Sequence, residues 1–204
     1  WLEPISGRIA CVSSNTYVLD TPDNLIKGDW RCGTDENLHR INAQDPHTGG
    51  GGSDGPAPRG AFRYQAQLAT DADFEYFSQY GGVGNTNAKI QTIINTMNVQ
   101  YARDVDIEYV ITTQLVRTNR ATQPFTSTNS NTLLNQFRAD WNANQGGVTR
   151  DNAHLFTGKE VDGNIIGLAF VGVMCDTGNA YGLVQSDFDG NFMSATDLSA
   201  HEIG

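Results

Sequence analysis

The sequence is poor in basic residues. Thirteen Lys and Arg stand against 23 Asp and Glu, and the formal net charge is −10. Binding to nucleic acid or to an anionic membrane surface requires a basic patch that neutralises phosphate groups. The acidic balance therefore argues against both as the main partner of this protein.

Long apolar runs are also absent. The longest strongly apolar stretch, residues 165–175, is eleven residues long, whereas a membrane-spanning helix needs roughly 18 or more. No membrane span is predicted. The chain begins at Trp1 rather than at methionine, so we expect a processed or truncated product, for which a missing signal peptide carries no information.

Cysteine is scarce and odd in number, at positions 11, 32 and 175. Secreted proteins usually pair their cysteines, so one thiol is either free by design or has its partner elsewhere. The composition is rich in Asn, Thr, Gly and Asp and poor in Lys, which is typical of many exported proteins. We therefore expect a secreted, extracellular protein.

Residues 42–60 form the clearest boundary in the sequence. They contain four consecutive glycines and the tripeptide Pro-Ala-Pro, a composition that is flexible and excludes regular structure. This linker separates residues 1–41, which include a short β-like stretch over 5–20, from residues 61–204. A segment of about 40 residues rarely builds a core of its own, so we expect residues 1–41 to pack on the larger part.

From residue 61 onward the hydrophobic pattern alternates between the two periods of strands and helices. This alternation predicts an α/β fold in which helices cover a mixed sheet. The predicted elements are strand 62–70, helix 72–81, helix 85–104 behind an Asn/Thr cap, strand 105–116, helix 131–147, strands 153–158, 164–175 and 180–185, and a helix from Ser194 onward with Ser194 or Thr196 as its cap.

The last predicted helix carries His201 followed by Glu202. A helix places residues i and i+4 on one face, so His-x-x-x-His directs two imidazoles at one metal, and a Glu after the first His lies beside a metal-bound water. His201 and Glu202 match the first half of this pattern. Taken alone, two residues favour a solvated pair near a helix end.

The residues before this pair carry a longer pattern. Residues 151–158 read DNAHLFTG, residues 163–175 read GNIIGLAFVGVMC, and residues 200–204 read AHEIG. In residue type and spacing, this series resembles the reprolysin (adamalysin, ADAM-like) branch of the metzincin zinc proteases. The resemblance covers about 61–204 and implies a metzincin-like catalytic domain: a twisted, mostly parallel mixed sheet, long helices, and the active-site helix at the C-terminal end.

The resemblance also implies roles for single residues. His201 would be the first zinc ligand and Glu202 the general base that acts on the zinc-bound water, while two further histidines would follow Gly204. The chain as written holds one of the three ligands, so we expect it to be inactive by itself. The strand along the cleft would bind extended peptide substrate by β-addition through Gly167, Leu168, Ala169 and Phe170.

Two further positions match the family less completely. The resemblance implies that Cys175 pairs with a cysteine after the zinc helix. Asp151 matches a structural Ca²⁺ ligand of some members, whereas Gln67 stands where the family would have a glutamate. The expected cofactors are therefore Zn²⁺ and, at Asp151, Ca²⁺.

The segment Trp30-Arg31-Cys32-Gly33 resembles the cysteine switch of metzincin propeptides, without the prolines that frame it in matrix metalloproteases. In that interpretation the Cys32 thiolate is an inhibitory zinc ligand, residues 1–41 are a propeptide tail, and 42–60 is the cleavable connection. The alternative is a Cys11–Cys32 disulfide, and both interpretations stay open.

The sequence therefore predicts a secreted zinc-dependent endopeptidase, made as a zymogen, that hydrolyses protein or peptide substrates. The alternative is a catalytically inactive relative that uses the same fold for binding or adhesion. Relatives of that kind usually lose the glutamate or a histidine, and this chain has both His201 and Glu202.

Overall fold

The computed structural model describes residues 64–203 in full and, before them, the backbone of three short strands. The linker 42–60 and both predicted domain boundaries lie outside these described residues. The elements in chain order are β1 (Arg8–Ser13), β2 (Thr16–Asp20), β3 (Arg31–Cys32), β4 (Tyr64–Ala72), α1 (Phe74–Tyr80), α2 (Val83–Asp104), β5 (Ile107–Val116), α3 (Ser130–Asn144), β6 (Asn152–Thr157), β7 (Ile165–Ala169), β8 (Tyr181–Gln185) and α4 (Phe192–Ile203).

One six-stranded sheet, in the order β3-β7-β8-β6-β4-β5, organises the molecule, and β1 and β2 form a separate antiparallel hairpin. Strands β5, β4, β6 and β8 run parallel to one another, β7 is antiparallel to β8, and β3 is parallel to β7. The α/β fold with a mixed, mostly parallel sheet is confirmed. The hairpin falls within the stretch predicted to be β-like.

The helices cover both faces of this sheet. One core cluster unites α2 and α4 with Leu68, Phe156 and Val184, and a second unites α3 with Leu155 and Leu183. Every residue of β6 and of β8 is buried, as expected for central parallel strands that are covered on both faces. Helix α4, predicted to be the active-site helix, thus lies on the same face as the long helix α2.

Helix α2 follows from its apolar spacing. Ile90, Ile93, Ile94 and Met97 recur at helical intervals and are all buried, so one face of the helix packs on the sheet. The helix begins at Val83, two residues before the predicted start, and its N-cap is Gly82, which forms no side-chain cap hydrogen bond. The predicted Asn/Thr cap was therefore wrong.

Helix α4 also begins earlier than predicted. The side chain of Asn191 accepts a hydrogen bond from Met193 N at 2.8 Å, and its carbonyl accepts one from Ala195 N at 3.1 Å. The side-chain bond satisfies one donor that the first turn leaves without a helical partner, and the carbonyl accepts the first hydrogen bond of the helix. Ser194 and Thr196 lie inside the helix, and Thr196 Oγ1 donates to Phe192 O at 3.0 Å, so the prediction of either as the cap was wrong.

Strand β7 ends at Ala169, six residues before the predicted end. Phe170 N still donates to Tyr181 O of β8 at 3.1 Å, which continues the pairing for one residue. Beyond it, Gly172 and Cys175 adopt positive φ of 73° and 67°, a backbone conformation that no strand contains. The apolar run 165–175 is therefore half strand and half loop. No helix in residues 64–203 is both long and apolar enough to span a bilayer.

Candidate active site

The C-terminal end of α4 is tied to the rest of the protein at two carbonyls. Tyr101 of α2 donates its hydroxyl to Ala200 O at 2.8 Å, and Asn152 of β6 donates from Nδ2 to Ile203 O at 3.4 Å. The last four carbonyls of a helix lack hydrogen-bond donors within the helix. Tyr101 and Asn152 supply donors for two of these four. Together they hold the segment that carries His201 and Glu202 at one position over the sheet.

Consecutive residues on a helix point about 100° apart, because a turn takes 3.6 residues. His201 is accordingly exposed, whereas Glu202 is buried with 4% of its surface accessible. His201 and Glu202 therefore lie on different sides of α4. The imidazole is open to a ligand from solvent, and the carboxylate is turned toward the sheet.

Glu202 lies directly against two glycines of the sheet. A Cβ built on Gly167 of β7 would lie 2.5 Å from Oε1 of Glu202 and 2.8 Å from its Cδ and Cγ. A Cβ on Gly182 of β8 would lie 3.1 Å from the carbonyl oxygen of Glu202 and 3.2 Å from Cβ of Ala169. The absence of side chains at these two positions lets the end of α4 approach the strands closely.

The four residues predicted to bind substrate do not share one orientation. Leu168 is 2% exposed and belongs to the core cluster on the α3 face. Phe170 follows the strand, is partly buried, and lies under the guanidinium of Arg138 at 4.8 Å. Gly167 and Ala169 lie on the α4 face. What β7 offers along its outer edge is therefore its backbone rather than a set of side chains.

That outer edge is covered by strand β3. Arg31 pairs with Ile165 and Cys32 pairs with Gly167, both in parallel register. The structure describes the backbone of these two residues. The segment that contains Cys32 therefore lies along the strand predicted to bind substrate, opposite the residue that contacts Glu202.

The described residues include one candidate zinc ligand, His201. Zinc binds imidazole nitrogen and thiolate sulfur, and the exposed ring of His201 is a suitable donor. Among residues 64–203 and the strands before them, no group of three His, Cys, Asp or Glu side chains comes together. The donor chemistry of His201 fits zinc, and the complete coordination set is not contained in this part of the chain.

Asp151 forms hydrogen bonds with the backbone of the neighbouring strand β4. Its Oδ2 accepts a hydrogen bond from Gln67 N at 2.7 Å, and its own N–H donates to Gln67 O at 2.7 Å. Calcium requires six to eight oxygen ligands, and no such cluster of acidic side chains surrounds Asp151 in the described part. A calcium site at Asp151 stays a prediction without structural support.

Cys175 lies next to Asp151 in the loop after β7. Its thiol is exposed and free among the side chains that the structure describes, and its N–H donates to Asp151 O at 3.0 Å. Burial and the neighbouring Asp151 carboxylate both raise the pKa of this thiol. The expected pairing of Cys175 with a later cysteine stays a prediction.

His154 lies near the candidate site, and the sequence did not predict this position. It is fully buried in β6, and burial lowers the pKa of its imidazole to about 3. Neither ring nitrogen has a hydrogen-bond partner among the described residues. A Cβ on Gly182 would lie 2.9 Å from His154 Nδ1 and 3.1 Å from the Glu202 carbonyl. A neutral imidazole therefore lies under the end of α4.

The mixed, mostly parallel sheet with a helix docked across β7 and β8 has the architecture of a metzincin-like α/β domain. The chain belongs to metallo-peptidase family M12, because the reprolysin-type model of that family matches residues 63–204. Membership of this family makes the chain a metallopeptidase domain.

Solved structures agree at the level of the fold. A chain from a structure titled "Structure of a chaperone-substrate complex" superposes with a TM-score of 0.54 at 14% sequence identity. The match covers 70% of the present chain and 24% of that chain. This protein therefore spans about a quarter of the length of the structure it matches, and the likeness shows the fold alone.

Proposed function

We propose that this protein is a secreted zinc-dependent endopeptidase, made as a zymogen, with Glu202 as its general base. The observation that carries the proposal is the position of the Glu202 carboxylate, which is buried against Gly167 of β7 while the neighbouring His201 imidazole is exposed. A general base must lie within hydrogen-bond reach of the proton that it removes. A peptide bound along β7 would bring its backbone to the strand against which this carboxylate lies.

In the proposed reaction, a carboxylate oxygen of Glu202 accepts a proton from the attacking water and then delivers it to the leaving amine. The imidazole of His201 would be one ligand of the zinc, and the resemblance puts the other two in residues after Gly204. Zinc, when bound, supplies Lewis acidity that polarises the scissile carbonyl.

The substrate in this proposal is an extended polypeptide. A strand with a free edge binds such a chain through main-chain hydrogen bonds, and side-chain pockets then provide specificity. The pairing of Arg31 and Cys32 with this edge supports that role, because a segment of the chain itself binds there as a strand. The same pairing supports the zymogen, since substrate and this segment would compete for one edge.

Replacement of Glu202 by Gln tests the proposal in the full-length protein, propeptide removed and zinc bound. The amide is nearly isosteric but cannot accept the proton, so kcat should fall by about 10²- to 10⁴-fold, with KM and zinc content unchanged. The control is Glu160→Gln, at an exposed residue, which should leave kcat unchanged.

Two results would contradict the proposal. Hydrolysis by Glu202→Gln at the parental rate would exclude Glu202 as the general base. If the parental protein bound peptides but cleaved none with zinc present, the alternative of an inactive binding or adhesion module would be favoured.

A further inference from the structure

We propose that Gly167 is a positioning residue for Glu202, and that its missing side chain is what gives the carboxylate its place against the cleft strand. The proposal rests on the role of Glu202 as the general base. Gly167 touches no reacting atom in this proposal. It acts only through the side chain of Glu202.

The steric evidence is direct. A Cβ at position 167 would lie 2.5 Å from Oε1 of Glu202 and 2.8 Å from both Cδ and Cγ, whereas non-bonded heavy atoms separate by about 3.5 to 4.0 Å. A methyl group and the present Glu202 rotamer therefore cannot coexist. One of the two must move.

The backbone conformation does not explain a glycine at this position. The glycines with positive φ are Gly81, Gly163, Gly172 and Gly190 among the described residues, and Gly167 is not one of them. A glycine in a strand interior weakens the strand and often marks a close approach of another group. At Gly167 that group is the Glu202 side chain.

The strand cannot retreat from the clash, because pairing with β8 and packing in the core hold it. Gly167 pairs with Val184 of β8 and, where residues 31–32 are present, also with Cys32 of β3. The neighbouring Leu168 is packed in the core on the α3 face. The Glu202 side chain has rotatable bonds and the paired strand backbone does not, so a side chain at 167 should displace the carboxylate and preserve the fold.

Gly158 provides the contrasting case. A Cβ there would lie 2.5 Å from the carbonyl carbon of Glu75 and from the nitrogen of Tyr76, which are backbone atoms. Backbone in the first turn of α1 cannot rotate away as a side chain can. Gly158→Ala should therefore lower stability without moving Glu202, which separates a packing glycine from a positioning one.

The first experiment is a double-mutant cycle with Gly167→Ala, Glu202→Ala and the combined variant, measured by urea unfolding of this chain without zinc. Gly167→Ala should lower the unfolding midpoint when Glu202 is present. In the Glu202→Ala background the same change should leave the midpoint unchanged or raise it, because alanine restricts the unfolded chain more than glycine does. Equal shifts in both backgrounds would overturn the proposal.

The second experiment measures kinetics of the full-length, zinc-loaded protein after propeptide removal. Gly167→Ala should lower kcat by about tenfold to a hundredfold, as expected for a misplaced catalytic group, with KM within about twofold. Gly84→Ala is the matched control, because a Cβ there meets nothing within 4 Å, and it should change neither constant. An unchanged kcat in Gly167→Ala would contradict the positioning role.

The double-mutant cycle and the activity of Glu202→Gln together separate this proposal from the one on which it rests. A non-additive cycle together with full activity of Glu202→Gln would mean that Gly167 does place the side chain but that Glu202 is not the base. An additive cycle with an inactive Glu202→Gln would keep the general base and remove the role of Gly167.

Discussion

Cys32 and Gly167 are register partners in the parallel pair formed by β3 and β7. Gly167 is also the residue against which the Glu202 side chain lies. The cysteine segment thus runs past the general base proposed above, on the edge that the proposal assigns to substrate. This relationship bears on whether Cys32 acts as an inhibitory zinc ligand or pairs with Cys11.

Cys32→Ser in the full-length zymogen should raise peptide hydrolysis before any cleavage of the linker. A thiolate binds zinc strongly and a serine hydroxyl does so weakly, so inhibition would be relieved by about tenfold or more. A fluorogenic peptide assay on the uncleaved protein measures this.

Cys11→Ser is the matched control for that experiment. If Cys32 acts through zinc, Cys11→Ser should leave the latent activity unchanged. Equal activation by the two substitutions would favour the disulfide, and activation by neither would remove Cys32 from the inhibitory mechanism.

The buried His154 should make the fold sensitive to mild acid. Its pKa is lowered from 6.5 to about 3 on folding, so the unfolded chain binds the proton first. The contribution of the neutral ring to the free energy of unfolding is fully present above pH 6.5. It decreases as the pH drops toward 3, by about 2 kcal/mol between pH 7 and pH 5.

The matched variant for this prediction is His154→Leu, which cannot titrate. Urea unfolding across pH 5 to 7.5 should show that the free energy of unfolding of the parent falls more steeply than that of the variant. Carboxylates are common to both proteins and cancel in the difference. Parallel curves would show that His154 is not buried in the neutral form.

Asp71 should be a main contributor to stability on the α3 side. The carboxylate is fully buried, pairs with Arg117 Nη2 at 2.6 Å, and accepts a hydrogen bond from Trp141 Nε1 at 2.9 Å. Burial raises its pKa to about 6, although Arg117 and Trp141 oppose the shift. Asp71→Ala leaves the Trp141 Nε1 donor without its acceptor, while Arg117 keeps Asp140 as a partner at 2.8 Å. The substitution should therefore cost about 2 kcal/mol in urea unfolding.

The comparison for Asp71 is a surface ion pair. Arg103 and Asp104 are adjacent and their side chains are 56% and 47% exposed. Solvent screens such a pair, so Asp104→Ala should change stability by less than about 1 kcal/mol. Equal losses for the two substitutions would contradict the structural role of Asp71.

Tyr101→Phe should loosen the end of α4. The lost hydrogen bond to Ala200 O leaves a terminal helix carbonyl without its partner, at a cost of about 1 kcal/mol. Amide hydrogen exchange should become faster over residues 200–203. Tyr64→Phe, at a residue 73% exposed, is the control and should leave that exchange unchanged.

Local patterns in the sequence predicted the order and type of every element from β4 to α4. In α2, for example, Ile90 and Met97 mark the buried face by spacing alone. The errors lie at element ends: Asn191 rather than Ser194 or Thr196 caps α4, and Gly172 turns the apolar run out of the sheet. Ends depend on single hydrogen bonds and φ values, which hydrophobic periodicity does not report.

For the candidate site, too, the sequence predicted some features and not others. The family could be predicted from residue types and their spacing, and the same spacing predicts His201 and Glu202 as a metal-site pair. The contact of Glu202 with Gly167 and the neutral state of His154 could not. Both arise where a helix crosses strands that are distant in sequence.

The sequence by itself thus determined an α/β metallopeptidase domain of family M12, because motif spacing and hydrophobic period act over short stretches of chain. Tertiary structure alone decided that His201 faces solvent while Glu202 is buried on β7, and that β3 pairs with the same strand. The physical reason is packing: the close approach of α4 to the sheet requires glycine where the two meet, and that meeting exists only in the folded chain.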